Sequence, residues 1–146
     1  MVIEETICIT APISVVWDLF IDLSCWADWN TVLAASTAST TISEGRILKC
    51  SIKPYLFPFD FNVHITEVIP KRKVTWKSKK YGITSIHEFF FEEISGGVVV
   101  RSREEFSGHP LLIFSFIFPE KKIRMLNRNF LNDLKNASEA SHDRKD

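Results

Sequence analysis

Hydrophobic and polar positions alternate from Val2 to Thr10. Ile3, Ile7 and Ile9 fall on one face and Glu4, Thr6 and Cys8 on the other, the period of a half-buried strand. Ala11-Pro12 ends the run, and proline suits a helix start. Ile13, Val16, Trp17 and Phe20 then recur at helical spacing, and Asp22 can cap a second short helix carrying Leu23, Trp26 and Trp29. Ala34 to Ser43 is small, polar and β-branched, and reads as a weak edge strand or a loop. From Gly45 the period returns to two. Leu48, Cys50 and Ile52 form one alternating set, Phe59, Phe61, Val63 and Ile65 a second, and Val74 and Trp76 a third after a turn at Pro70-Lys71. Ile83 to Ile94 and Val98 to Phe106 are separated by Ser95-Gly96-Gly97, a strong hairpin signal.

After Gly108 the spacing changes again. Ile123, Leu126, Phe130, Leu134 and Ala137 predict a long helix from about Glu120 to about Ser138, followed by a polar tail over 141–146. The order is one strand, two short helices, at least five antiparallel strands and a long helix. A meander with one apolar face needs a cover, and the last helix is the element long enough to supply it. The expectation is one α+β domain over 1–140, a curved antiparallel sheet of about six or seven strands around the C-terminal helix, with space left between them.

Composition adds one clue and removes several functions. The chain has 146 residues, and its 18 Lys+Arg balance 18 Asp+Glu, so net charge gives no push toward nucleic acid, membranes or acidic substrates. Twelve Phe beside four Trp are generous for a core of this size and suggest a lined cavity, with a solid Phe-rich core as the alternative. The three cysteines, Cys8, Cys25 and Cys50, have no CxxC spacing and read as reduced thiols of a cytoplasmic protein. The N-terminus has neither a basic segment nor a long apolar one, which speaks against a signal peptide or anchor. Leu111 to Phe118 is too short to span a bilayer. No HExxH, paired-His spacing, glycine-rich phosphate loop or GxSxG is present, so no metal or cofactor is expected.

Several phrases, in order, resemble the START-like superfamily, also called SRPBCC or Bet v1-like. They are Ile9-Thr10-Ala11-Pro12, Val16 to Asp22, Trp29-Asn30, Val68 to Trp76, His87-Glu88-Phe89, Gly96-Gly97, and Glu104-Glu105-Phe106-Ser107-Gly108 before the long helix. The resemblance spans about Ile3 to Glu139 and is nearest the polyketide cyclase/dehydrase and lipid-transport branch. It implies a helix-grip fold with a deep hydrophobic cavity, but no reaction, because that fold hosts binders, carriers and enzymes without shared catalytic residues. One departure is Thr31, where the usual pattern has proline after Trp29-Asn30.

Register supplies the sharpest chemical inference. A two-residue turn at Ser95-Gly96 sets His87 opposite Glu104, Phe89 opposite Ser102 and Phe91 opposite Val100, on the apolar face, while Arg101, Arg103 and Glu105 point outward. A His–Glu pair in an apolar pocket can act as a general base, can bond the polar end of a ligand, or can simply tether two strands. The candidate ligand-binding set is Trp29, Phe61, Val63, Trp76, His87, Phe89, Phe91, Ser102, Glu104, Phe106 and Phe130, with His87 and Glu104 the candidate catalytic groups. Trp76 is expected opposite Ile65, and Asn30 in a local turn. Two apolar stretches, 55–59 and 111–118, can pack on the core, gate the pocket, form a dimer contact or touch a membrane. Lys71, Arg72, Lys73, Lys77, Lys79 and Lys80 are expected on a solvated outer face that guards against edge pairing.

The reading favoured by these features is a protein that binds or carries a small lipid-like or aromatic hydrophobic molecule. Its expected state is a monomer or weak homodimer without nucleic acid or stable membrane insertion. The alternative is a cyclase/dehydrase-type enzyme acting on a polyketide-like substrate through His87 and Glu104.

Overall fold

The computed structural model describes residues 1–36 and 41–145. The chain runs β1 (Val2–Ile9), α1 (Ile13–Ile21), a 3-10 turn (Leu23–Cys25), α2 (Trp26–Trp29), β2 (Leu33–Ser36), β3 (Ile47–Ile52), β4 (Phe59–Ile69), β5 (Lys73–Lys80), β6 (Ile83–Ile94), β7 (Gly97–Ser107), α3 (Leu111–Ile117) and α4 (Glu120–Lys145). Among the described residues seven strands form one antiparallel sheet in the order β1-β7-β6-β5-β4-β3-β2. Strands β2 to β7 form a meander. β1 lies beside β7, at the opposite edge from β2, so α1 and α2 carry the chain across the inner face of the sheet. This is the expected helix-grip architecture.

Local chemistry explains the joints. Pro12 is the N-cap of α1, and the Asp22 carboxylate accepts the Ser24 amide at 3.0 Å, capping the 3-10 turn that leads into α2. Part of the weak segment is an edge strand, β2, while the residues numbered 37–40 lie outside the described ones. Trp76 does pair with Ile65, though by a different route from the one the sequence suggests. The β4–β5 loop is three residues long, so Ile69 pairs with Lys73, and a bulge at Thr66 absorbs the extra residue. The bulge also lets Val68, rather than Glu67, pack against the core. The β6–β7 hairpin keeps the expected register from Ile94–Gly97 to His87–Glu104.

The basic strand needs correction on two points. β5 lies in the middle of the sheet, between β4 and β6, so its lysines do not guard an edge. Lys73 instead bridges Glu67 at 2.9 Å and Glu88 at 3.3 Å. Lys80 shares the parity of Trp76 and faces inward.

α4 buries Ile123, Phe130 and Leu134 of the stripe its spacing predicts, half-buries Leu126 and Ala137, and buries Leu131 as well. It continues to Lys145 because nothing in the polar sequence beyond Ser138 breaks a helix. It packs along β1 and across α1. Glu5, on the inward face of β1, receives Arg124 at 3.0 Å and Arg128 at 3.3 Å. Burial pushes its carboxyl up, but the two guanidiniums outweigh that and hold it below its usual value. Lys135 bonds the Cys8 carbonyl at 2.9 Å. Thr31 donates its amide and hydroxyl to Asp133, both at 2.7 Å, which ties the loop after α2 to α4. Proline, the usual residue here, has no amide to offer.

Candidate functional site

The apolar interior is divided. A large cluster gathers around Phe20, Trp26, Trp76, Phe89 and Phe130, and a smaller one around Ile3, Ile83, Phe106, Phe118 and Ile123. Between them each contributing element switches to polar residues on its inward face. On β6, Ser85 and His87 stand between Ile83 and Phe89. On β7, Ser102 and Glu104 stand between Val100 and Phe106. On α4, Asn127 stands between Ile123 and Phe130. Antiparallel pairing sets the β6 and β7 pairs side by side, and α4 lowers Asn127 onto them.

A cavity of about 510 Å³ opens at this seam. Its walls come from the inner face of β2 to β7, from α3 and α4, and from the loop 53–58, and most are apolar. That size lies within the range of small-molecule pockets.

The polar cluster is closely bonded. His87 Nε2 and Ser102 Oγ are 2.6 Å apart. Glu104 accepts at both oxygens, from Ser85 Oγ at 2.8 Å and from Asn127 Nδ2 at 3.0 Å. His87 Nδ1 lies 3.7 Å from Glu104 Oε2, beyond a hydrogen bond, so the strand partners share a site without bonding directly. The imidazole stacks on Phe89 at 4.2 Å and meets Trp76 edge-on at 5.6 Å. Burial among these rings pushes its pKa down, more than the negative fields of Glu104 and Glu88 raise it. Burial therefore favours the uncharged ring.

Of the residues singled out from sequence, Phe61, Val63, Trp76, His87, Phe89, Ser102, Glu104, Phe106 and Phe130 line the cavity, and Trp29 and Phe91 do not. Phe91 faces the other end of the sheet's inner surface, where it packs edge-on against Trp17 and Phe20. Trp29 sits behind Phe130, against Trp26, with no hydrogen-bond partner for its buried Nε1. Asn30 closes a local turn, its Oδ1 accepting the amides of Val32 and Leu33. Sequence reasoning misses the polar lining residues Ser78, Lys80, Ser85 and Asn127. Ser85 is two residues before His87 and so on the same face, and Asn127 is a polar interruption of the apolar stripe of α4. Both signals are present in the sequence. The apolar stretches form part of the cavity wall, through Tyr55, Phe57, Pro58, Phe59, Ile113, Phe114 and Phe118 among others.

No family model and no curated protein matches the sequence. Solved structures do match. TTHA0849 from Thermus thermophilus superposes with a TM-score of 0.78 at 11% identity, over 97% of this chain and 99% of that one. An AHSA1-like protein from Aeromonas hydrophila gives 0.70 at 18%, over 97% and 94%. The di-domain ARO/CYC protein StfQ of the steffimycin biosynthetic pathway gives 0.74 at 10%, over 99% of this chain and 51% of StfQ. The chain has the START-like, or Bet v1-like, helix-grip fold. The chain spans about half of StfQ and nearly the whole of the other two. Identities this low speak to the fold and leave its chemistry to the site.

Proposed function

We propose that this START-like chain binds a small, mostly apolar molecule that carries one polar, hydrogen-bonding end. The observation that carries the reading is a hydrogen-bonded polar cluster of Ser85, His87, Ser102, Glu104 and Asn127 inside a mostly apolar cavity of about 510 Å³, whose other polar lining residues are Ser78 and Lys80. The apolar body would lie along Phe61, Trp76, Phe106 and Phe130, and the polar end would meet His87, Ser102 and Glu104. Glu104 already accepts two hydrogen bonds, and a carboxylate has lone pairs for more, so a hydroxyl fits this end better than an acid group. The ligand class that follows is a neutral hydroxylated lipid or phenolic molecule. Three free thiols support a cytoplasmic setting.

Native mass spectrometry of the purified chain, with extraction of what co-purifies, tests this directly. A bound hydroxylated apolar compound is expected. Exclusive recovery of fatty acids or other anions would overturn the polar-end assignment, and failure of every apolar probe to bind would overturn the cavity's role.

A second reading, a cyclase or dehydrase acting on a polyketide-like substrate, draws support from the buried imidazole beside Ser102 and from the likeness to StfQ. His87 would serve as general base. The 3.7 Å gap to Glu104 ranks this reading second, because the carboxylate does not hold the ring by a hydrogen bond. His87→Gln would then abolish turnover while binding survives.

A further inference from the structure

Among the described residues, the five most exposed large apolar side chains lie together. They are Leu56 at 90%, Phe116 at 86%, Tyr81 at 81%, Phe57 at 80% and Leu112 at 79%. They project from the loop 53–58, from α3 and from the β5–β6 turn, and α3 meets both of the others. Tyr55 Oη donates to the Ile117 carbonyl at 2.7 Å. A Cβ built on Gly82 would stand 3.3 Å from Pro110, which begins α3.

The composition of α3 sharpens the point. Six of its seven residues are apolar, and the seventh, Ser115, returns its hydroxyl to the Leu111 carbonyl at 2.8 Å. Leu111 and Phe114 pack inward, the latter on Phe106 and Phe118. Leu112, Ile113, Phe116 and Ile117 face solvent. A helix apolar on all sides normally has apolar neighbours on all sides, and this one lacks them on its outer face.

Charge identifies what fits there. Lys53, Lys79, Lys121 and Lys122 belong to these segments or border them, against two acids, Asp60 and Glu120, the latter held by Arg124 at 3.0 Å, while Lys80 turns inward and donates to the Asp60 carbonyl. The chain as a whole is neutral, so this end is locally basic. Lys80 and Lys122 lie over the rings of Tyr81 and Tyr55, at 5.3 and 5.1 Å from the centroids, alongside the apolar side chains. Two copies of such a face would bring lysines together. Apolar tips ringed by lysines match instead a surface with an apolar interior and anionic headgroups.

We propose that α3, the loop 53–58 and the Tyr81 turn form a reversible docking face for an anionic lipid bilayer. Tyr55, Phe57, Tyr81, Ile113 and Ile117 also line the cavity, so docking sets the cavity wall against the lipid. Docking of this kind does not depend on what the cavity holds.

Co-sedimentation of the full chain with vesicles of phosphatidylcholine alone, or of equal parts phosphatidylcholine and phosphatidylserine, tests it. Binding is expected to the mixed vesicles and to weaken with salt. Leu56→Ser with Phe116→Ser is expected to reduce it at least about tenfold. Lys121→Glu with Lys122→Glu is expected to do the same, at roughly fivefold per lysine. All four side chains are exposed or at the surface, and near-UV circular dichroism checks that the variants stay folded. A wild-type chain that leaves both vesicle types unbound overturns the proposal, as do variants that bind like wild type. Equal binding to both vesicle types overturns the anionic requirement. A dimer seen by sedimentation and split by Phe116→Ser would assign the face to a second copy instead.

Discussion

His87 shows how much one side chain's surroundings decide. An exposed histidine titrates near pH 6.5, whereas burial beside Phe89 and Trp76 lowers this one. As pH falls below about 6.5, the unfolded chain takes up a proton that the native ring refuses. Stability is expected to decline with falling pH through this window, and the decline from this group to end once the native ring itself protonates. An NMR titration of the ring alongside urea melts checks both. Glu104→Gln removes a charge that favours the imidazolium, so the ring's pKa is expected to fall further. A rise would mean that Glu104 acts on the ring in some other way. The two phenylalanines Phe20 and Phe116 make a second contrast at this scale. Phe20 is fully buried and meets Trp26, Trp76, Phe89, Phe91 and Phe130. Phe20→Ala is expected to cost about 3–5 kcal/mol in urea unfolding. Phe116→Ala should stay within about 0.5 kcal/mol, because its ring is already in solvent.

Elements meet here through close backbone approaches and a few polar ties. At the start of β7 a Cβ on Gly97 would lie 2.2 Å from the Ile9 carbonyl oxygen, so the β1–β7 edge closes only because that position has no side chain. Gly97→Ala is expected to destabilise by about 1–3 kcal/mol, read as a lowered thermal midpoint. An unchanged midpoint would show that β1 can shift freely along β7. The bulge at Thr66 works differently, since it restores a register that the longer Pro70 loop would otherwise displace. Period two located both strands and their inward residues. It could not count the loop, because a three-residue turn followed by a bulge and a two-residue turn without one pair the same Ile65 with the same Trp76. α3 escaped the reading for a related reason: an apolar run of that length carries no period to separate helix from strand.

At the scale of the molecule, the cavity follows from a seam. Two apolar clusters pack well, and between them the polar residues of β6, β7 and α4 bond to one another. Blocking this space should separate fold from binding. Leu126 lines the cavity from α4 and is half-buried, so Leu126→Trp is expected to fill the space with the fold retained. A ligand at a hundred times its Kd should stabilise the wild type by about 2.7 kcal/mol and this variant little. The same ligand shift in both, measured by thermal melting, would place binding elsewhere.

Alternation along β1, β4, β6 and β7, the 3.6-residue stripe of α4 and the turn at Ser95-Gly96 are local properties, and they were enough to determine the order of the main strands and the last helix, the fold class and the pairing of His87 with Glu104. Periodicity fixes which face a side chain takes and which residue it opposes. It does not fix distance. That His87 bonds Ser102 rather than Glu104, that Ser85 and Asn127 hold the carboxylate, and that Trp29 and Phe91 pack away from the cavity were decided by how the side chains of β6, β7 and the helices α1, α2 and α4 meet on the inner face of the sheet. The exposed face of α3 belongs with these. A run of apolar residues reads the same whether it is covered or bare, and only the packed chain left it bare.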